Sequence, residues 1–340
     1  MQRILMTAAI LVLCLSMANA ETVSVYPAKK WQTRTPAQVG LNAAKLNVFR
    51  DAVRPGNGVI IKNGYLAYSW GSLTRKVNWA SAAKPVLSTM LFYAIEELKV
   101  ASVDAPIMGW NWDLIEKDQT MTFAHLANMV SGYPLPEPPG DAWGYNDFAI
   151  KLYNMTVFDR VFKQPPDQAV RASSRLGPLQ FQDVGRGSLY GTGSAKYRLT
   201  MTPRDFARIG WFWLNKGKWG GTQRLPASYF DTFMAPQVPA GLPRTAGGIN
   251  DYLAIGTIGG GTDQDFFGQG RYGFNWWFNQ GAWPDAPADT IQARGHFNAE
   301  SMVIIPSLQT VVAWRGKNST AARAEADLNR YLGLLMQAFQ

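Results

Sequence analysis

The chain has almost no cysteine or histidine, and both shortages narrow what it does. Its one cysteine, Cys14, sits among the first twenty residues, and its two histidines are His125 and His296. A zinc site built from spaced Cys and His ligands is therefore not expected, and neither is a thiol nucleophile. No disulfide is available, so the fold must be held by its core. Long apolar runs are missing too, apart from Ile4–Met17, which is short for a bilayer span. Basic stripes are absent, because the charged residues (17% of 340) are scattered. Nucleic acid is thus not an expected partner. The chain also lacks the G-x-S-x-G elbow of one large hydrolase class.

The composition that is present supports a globular protein. Hydrophobic residues make up 47% and aromatic residues 13%, enough for a sizeable core. The first twenty residues read as a secretory leader. Arg3 gives the positive end, Ile4–Met17 the apolar stretch, and Ala18-Asn19-Ala20 the small residues before a cleavage site. Leu13 ahead of Cys14 argues against lipid attachment. Cleavage is expected before Glu21, leaving residues 21–340 as a single domain in the periplasm or outside the cell. The formal charge of +9 falls by one when Arg3 leaves, and reads as a soluble basic surface.

Gly58–Gly71 reads as a β-hairpin turning at Asn63-Gly64. Ser81–Leu98 reads as a helix with Pro85 in its first turn, where a missing N–H is tolerated. Leu87, Leu91, Ala94 and Leu98 recur at helical spacing. Thr122 is placed to cap a short helix through Met129, with His125 a packing residue on it. Thr202-Pro203-Arg204-Asp205 is a helix start, and that helix is expected to stop near Gly217. Gly259–Gly273 reads as loop, and its Asp263 and Asp265 are too few for a metal site. Ser301–Ile305 and Thr310–Trp314 pair as a second hairpin, and a helix from about Ala321 to Phe339 closes the chain. Strands near both ends and helices between them imply an α/β protein of the α+β kind. An antiparallel sheet built from both termini is flanked by helices, with a mostly helical lobe inserted. The lobe is expected over about 104–239, and the sheet region over about 31–103 and 240–340.

The chemistry centres on Ser81-Ala82-Ala83-Lys84, the one S-x-x-K in the chain. A serine hydroxyl needs a base to become a nucleophile. Residues three apart on a helix share a face, which brings the lysine amine to the serine oxygen. Roughly one such pattern arises by chance in a chain this long. Its place at a helix start, just after a hairpin, is what gives it weight, because the helix N-terminus adds positive potential where an oxyanion forms.

Trp79-Ala-Ser-Ala-Ala-Lys-Pro85 resembles the nucleophile segment of the serine β-lactamase and penicillin-binding-protein-like hydrolases. The likeness is closer to the esterases and amide hydrolases related to class C β-lactamases. Further stretches agree in order: His125–Gly132, Pro139–Tyr145, Met201–Gly210 with Lys216–Trp219, and Gly295–Asn298 followed by Met302–Pro306. The likeness runs over roughly Trp31–Leu335. It implies a β-lactamase-like fold, no cofactor, and hydrolysis of a small or short peptide-like ester or amide. It implies Ser81 as the acylated nucleophile, Lys84 as its base and Tyr145 as a proton shuttle.

Two departures stand out. The second motif of the family is Y-x-N, whereas here Tyr145-Asn146 is followed by Asp147. A carboxylate beside Lys84 would favour the ammonium over the free amine. Either Asn146 takes the amide role, or Asp147 points elsewhere, or the site is tuned differently. The third motif, K-T-G, is absent and His296 stands at about its place. His296 is expected to donate to substrate, with Asn298 beside it. Backbone N–H groups over Phe297–Ala299 are expected to join that of Ser81 in an oxyanion hole. Without the K-T-G cation, ester or amide hydrolysis is the better expectation than β-lactam hydrolysis. Trp276 and Trp277 are candidates either for the cleft or for the core.

Overall fold

The structure is a computed structural model that describes residues 25–183, 185, 187–259 and 266–340. The leader expected over 1–20, and Asp263 and Asp265, lie outside the described residues. Helix α1 (Ala43–Val53) comes first, followed by strands β1 (Asn57–Lys62) and β2 (Tyr65–Trp70). The turn between them has Asn63 at φ 52° and Gly64 at φ 82°. Two consecutive positive φ values are what a tight hairpin turn needs, and Asn-Gly supplies them at least steric cost.

The middle of the chain is helical: α2 (Lys84–Glu96), α3 (Phe123–Ala127), α4 (Asp147–Asn154) and α5 (Pro203–Leu214). The remaining strands follow: β3 (Tyr272–Gly273), β4 (Trp276–Phe278), β5 (Ile291–Gly295), β6 (Glu300–Ile305) and β7 (Thr310–Arg315). Helix α6 (Ala324–Met336) ends the described elements. The seven strands form one sheet in the order β2-β1-β7-β6-β5-β4-β3, and neighbours pair antiparallel throughout. First and last strands therefore lie side by side at β1–β7, as the sequence pattern implies.

Helices cover both faces, and the strand sequences show why. Along β1, Val59 and Ile61 enter one core cluster and Ile60 the other. Along β6, Met302 and Ile304 face one way, Val303 and Ile305 the other; β7 alternates likewise. A strand buried on both faces reads as a continuous apolar run rather than an alternating one. Helix α5 packs on the first face and α1 with α6 on the second.

The close approach of α5 rests on Gly210. A Cβ there would stand 2.3 Å from Met302 Sδ and 2.7 Å from Val311 Cγ1. Some expected boundaries move. The segment 80–83 forms a 3-10 turn and the α-helix begins only at Lys84, while α5 ends at Leu214. An eight-residue π-helical stretch, Met155–Phe162, extends α4.

Gly210→Val should destabilise the protein by about 2 kcal/mol, because overpacking at a helix–sheet contact outweighs the gain from removing a helical glycine. Urea unfolding reads this directly. An unchanged midpoint would mean that the contact yields without cost.

Candidate active site

The segment that carries Ser81 is locked from below. Val77–Asn78 pairs with Thr200–Met201, and the Trp79 N–H donates to Leu199 O at 3.0 Å. The Trp79 indole is fully buried, stacks on Phe206 at 4.1 Å and donates to Met201 O. Ala80 then adopts φ 45°, a left-handed conformation that a non-glycine residue holds only when its surroundings fix it. The Asn78 side chain accepts from the Ala80 N–H at 2.9 Å. Gly295 at the end of β5 leaves room for this turn, since a Cβ there would meet Trp79 O at 3.0 Å.

Ser81 and Lys84 meet as the S-x-x-K spacing predicts. Lys84 is 6% exposed and its Nζ donates to Ser81 Oγ at 2.5 Å. The same Nζ hydrogen-bonds to the Tyr145 hydroxyl and lies 4.3 Å from the centroid of that ring. Tyr145 is buried among Phe266, Trp277 and Tyr272.

The Y-x-N departure resolves in favour of Asp147. Its Oδ1 lies 3.8 Å from Lys84 Nζ, with both side chains buried, and that oxygen has no hydrogen-bond partner among the described residues. Asn146 does not face the lysine. It caps α4, accepting from the Ala149 N–H at 2.7 Å and donating to Tyr133 O and Gly144 O. Its amide is thus bonded to the backbone around the start of α4 rather than turned toward Lys84.

Asn298, expected beside His296, lies beneath the turn. It is fully buried, accepts from Gln292 Nε2 and donates to Ala324 O at 2.6 Å, so it ties β5 to the start of α6. The Ala299 N–H donates to His296 O, which removes it from the expected oxyanion hole. His296, Phe297 and Asn298 all have positive φ, so the chain turns sharply there and presents His296 and Phe297 to the cavity. His125 closes a capping box with Thr122, a structural use.

Ser81 borders two spaces. One encloses about 90 Å³ and is walled by Tyr145, Asp147, Trp277, Arg294 and His296, with Arg198 and Phe266 at its sides. The other, about 30 Å³, shares Ser81, Asp147 and Arg198 and extends toward Tyr190 and Tyr197. Trp277 faces this cleft, whereas its neighbour Trp276 packs in the core against Trp213; alternation along β4 separates them. Sequence reasoning missed Arg198 and Arg294. Neither belongs to a motif, and only the fold brings them to Ser81. Among the described residues no group of three or more His, Cys, Asp or Glu side chains is placed to hold a metal ion. No helix there is long and apolar enough to cross a membrane.

Known proteins were compared at the level of sequence and of structure. No protein-family model matches the chain, and no curated protein matches it. Solved structures do match. A penicillin-binding protein homologue from Caulobacter crescentus superposes with a TM-score of 0.62 at 11% identity, covering 92% of this chain and 98% of that one. A β-lactamase/D-alanine carboxypeptidase from Yersinia pestis gives 0.59 at 14% identity, covering 88% and 98%. A class C β-lactamase from Rhodobacter sphaeroides gives 0.53 at 14%, covering 87% and 98%. This is the β-lactamase-like fold. The similarity at such identities is one of architecture, and it agrees with the resemblance read from the sequence blocks.

His296 is held by Glu300, whose Oε2 lies 2.9 Å from its Nδ1. That carboxylate raises the imidazole above its ordinary value, opposed by partial burial and by the nearby Arg198 and Arg315. Because folding raises this value, the pair stabilises the fold below the imidazole's unfolded value. The contribution is lost as pH rises through the folded one. Proton NMR should find His296 titrating above about 6.5, and lower in Glu300→Gln. An identical titration in both proteins would remove Glu300 as the cause.

Proposed function

We propose that this protein is an exported serine hydrolase that cleaves a carboxylic ester or amide through an acyl-enzyme on Ser81. The observation that carries the reading is the bridging position of Lys84 Nζ, bonded at once to Ser81 Oγ and to the Tyr145 hydroxyl. A nucleophile, a base and a second proton carrier thus stand in one line. In the first step Ser81 Oγ attacks the carbonyl carbon, and its proton passes into the Lys84–Tyr145 pair. That pair returns the proton to the leaving oxygen or nitrogen as the bond to it breaks. Water then attacks the acyl-enzyme, gives a proton to the same pair, and Ser81 recovers it as the acid departs.

The substrate is a small molecule or short peptide-like chain, met in the periplasm or outside the cell if the segment 1–20 acts as its leader. Asp147 takes the place of the family's asparagine. A carboxylate only accepts, so it favours a substrate N–H or O–H over a substrate carbonyl at that point. His296 stands at the cleft rim as a donor to substrate. The reading is supported by neighbours of this fold that include a β-lactamase/D-alanine carboxypeptidase. A cell-wall peptidase or β-lactamase is therefore the alternative on the same machinery. A fold kept only for binding is the alternative without chemistry.

A fluorophosphonate probe should add its mass to Ser81 in the intact protein and not in Ser81→Ala. Lys84→Met should cut turnover by about 10²- to 10⁴-fold. A panel of short-chain nitrophenyl esters, D-aminoacyl amides and nitrocefin separates the substrate classes. No labelling and no turnover across the panel would sink the enzyme reading.

A further inference from the structure

A further hollow lies at the other end of the sheet. Strand β5 runs from Ile291 on its wall to Gly295 against Trp79 O of the Ser81 turn, a span of about 13 Å at ~3.4 Å per residue. The hollow encloses about 360 Å³, against about 90 Å³ for the larger space beside Ser81. Trp213 and Leu214 line it from the end of α5, Phe230 and Met234 from the short helix Ala227–Phe233 and the residue after it, and Phe278 and Ile291 from the sheet. A mostly apolar cavity of this size is what a small-molecule site needs, and an apolar space of about 150 Å³ already admits benzene. It is formed wholly of described residues. Val25, where the described chain begins, is bonded to Trp211, about 200° around α5 from Trp213, and Phe266 lies at the Ser81 end.

The walls are fixed by contacts of their own. The Trp213 indole donates to Thr89 Oγ1 of α2 at 2.9 Å and meets Trp276 edge-on at 5.4 Å. Phe230 stands edge-on to Phe212 at 5.9 Å. Met234 is half-buried, and its unbranched side chain adjusts to what packs against it. Charges at the mouth are taken up locally. Lys216 pairs with Asp231 at 2.5 Å, both exposed, and Asp289 accepts the Ser307 N–H and hydroxyl at 2.6 and 2.9 Å. One polar group of the lining is left over. Thr290 is 1% exposed, its N–H donates to Pro287 O and its carbonyl accepts from Asn279. Its hydroxyl has no hydrogen-bond partner among the described residues, and a buried hydroxyl without one is costly.

We propose that this hollow binds an uncharged aromatic molecule bearing one hydroxyl group, with its ring against Trp213, Phe278 and Met234 and its hydroxyl on Thr290 Oγ1. Rings in the wall favour a ring in the cavity through offset and edge-to-face packing, and a methionine sulfur adds to it. Thr290 Oγ1 both donates and accepts, so a single hydroxyl completes it. An ion is disfavoured, because the charged side chains at the mouth already hold partners and a charge inside would lose water without gaining a counter-charge. The site shares no residue with the spaces beside Ser81 and does not rest on the hydrolase reading.

Calorimetry at neutral pH with 2-naphthol, and with 2-naphthoate as its anionic counterpart, tests the site. The protein should take up one 2-naphthol per chain with a Kd of about 0.1 mM or tighter, and 2-naphthoate at least about tenfold more weakly. Ala288→Trp, at the exposed rim, should fill the hollow and weaken 2-naphthol at least about fivefold. Thr290→Val keeps the shape of the side chain and should weaken it about three- to tenfold, the size of one hydrogen bond. The urea midpoint of ligand-free Thr290→Val should stay or rise, since the substitution removes an unpartnered hydroxyl. A fall in that midpoint would show the hydroxyl bonded within the fold and overturns the assignment. Binding indifferent to both substitutions, equal affinity for 2-naphthoate, or no saturable uptake up to about 1 mM overturns it too. Ester turnover enters none of these readings, so each outcome leaves the Ser81 proposal where it stands.

Discussion

The site depends on one buried amine, that of Lys84. Lys84 is placed where water is largely excluded, and a charge there is tolerated only with close partners. Its partners include the Ser81 oxygen, the Tyr145 hydroxyl and the Asp147 carboxylate. Each partner arrives from a different constraint. Ser81 is delivered by the strained turn at Ala80, Tyr145 by the packing of its ring on Trp277 and Phe266, and Asp147 by the first turn of α4. Much of the surrounding structure serves to hold these three within reach of one nitrogen. The buried Trp79, pinned by Leu199, Met201 and Phe206, is the clearest example.

The same dependence explains what was legible in the sequence. A Ser and a Lys three residues apart announce themselves because the contact between them is local. The hairpin at Asn63-Gly64 and the capped start of α5 are local too, and both stand where the pattern puts them. The doubly covered strands were legible as apolar runs for a physical reason, namely that neither face meets water. Tyr145 lies 61 residues from Lys84, and only the ordered resemblance pointed to it.

The placement of the two asparagines follows a rule as well. Asn146 and Asn298 have the right chemistry for substrate binding, and each stands within two residues of a group on the cleft wall. Yet buried asparagines are drawn into capping and clamping, because an unsatisfied amide inside a protein is expensive. Asn146 caps α4 and Asn298 ties β5 to α6. Spacing alone does not say which of two adjacent polar residues the helix will take as its cap. Here α4 took the asparagine and left the aspartate facing Lys84, at the position that the family's Y-x-N motif gives to an asparagine. The π-helical turns at Met155–Phe162 carry no pattern that separates them from an ordinary helix.

The relay and the walls are built from different parts of the chain, and this separation has a consequence. Ser81, Lys84, Tyr145 and Asp147 come from the start of α2 and the approach to α4. The rest of the cleft comes from β4, β5, the turn at His296 and the loop that carries Arg198. A change in the wall residues alters charge and shape next to the carbonyl without moving the buried lysine or its partners. The two layers therefore answer to different constraints. The first is fixed by the burial of a single amine that needs close polar partners, which leaves few alternative arrangements. The walls are fixed only by the need to close a cavity, which many side chains satisfy. Resemblance across the fold is accordingly informative about the first layer and much less so about the second.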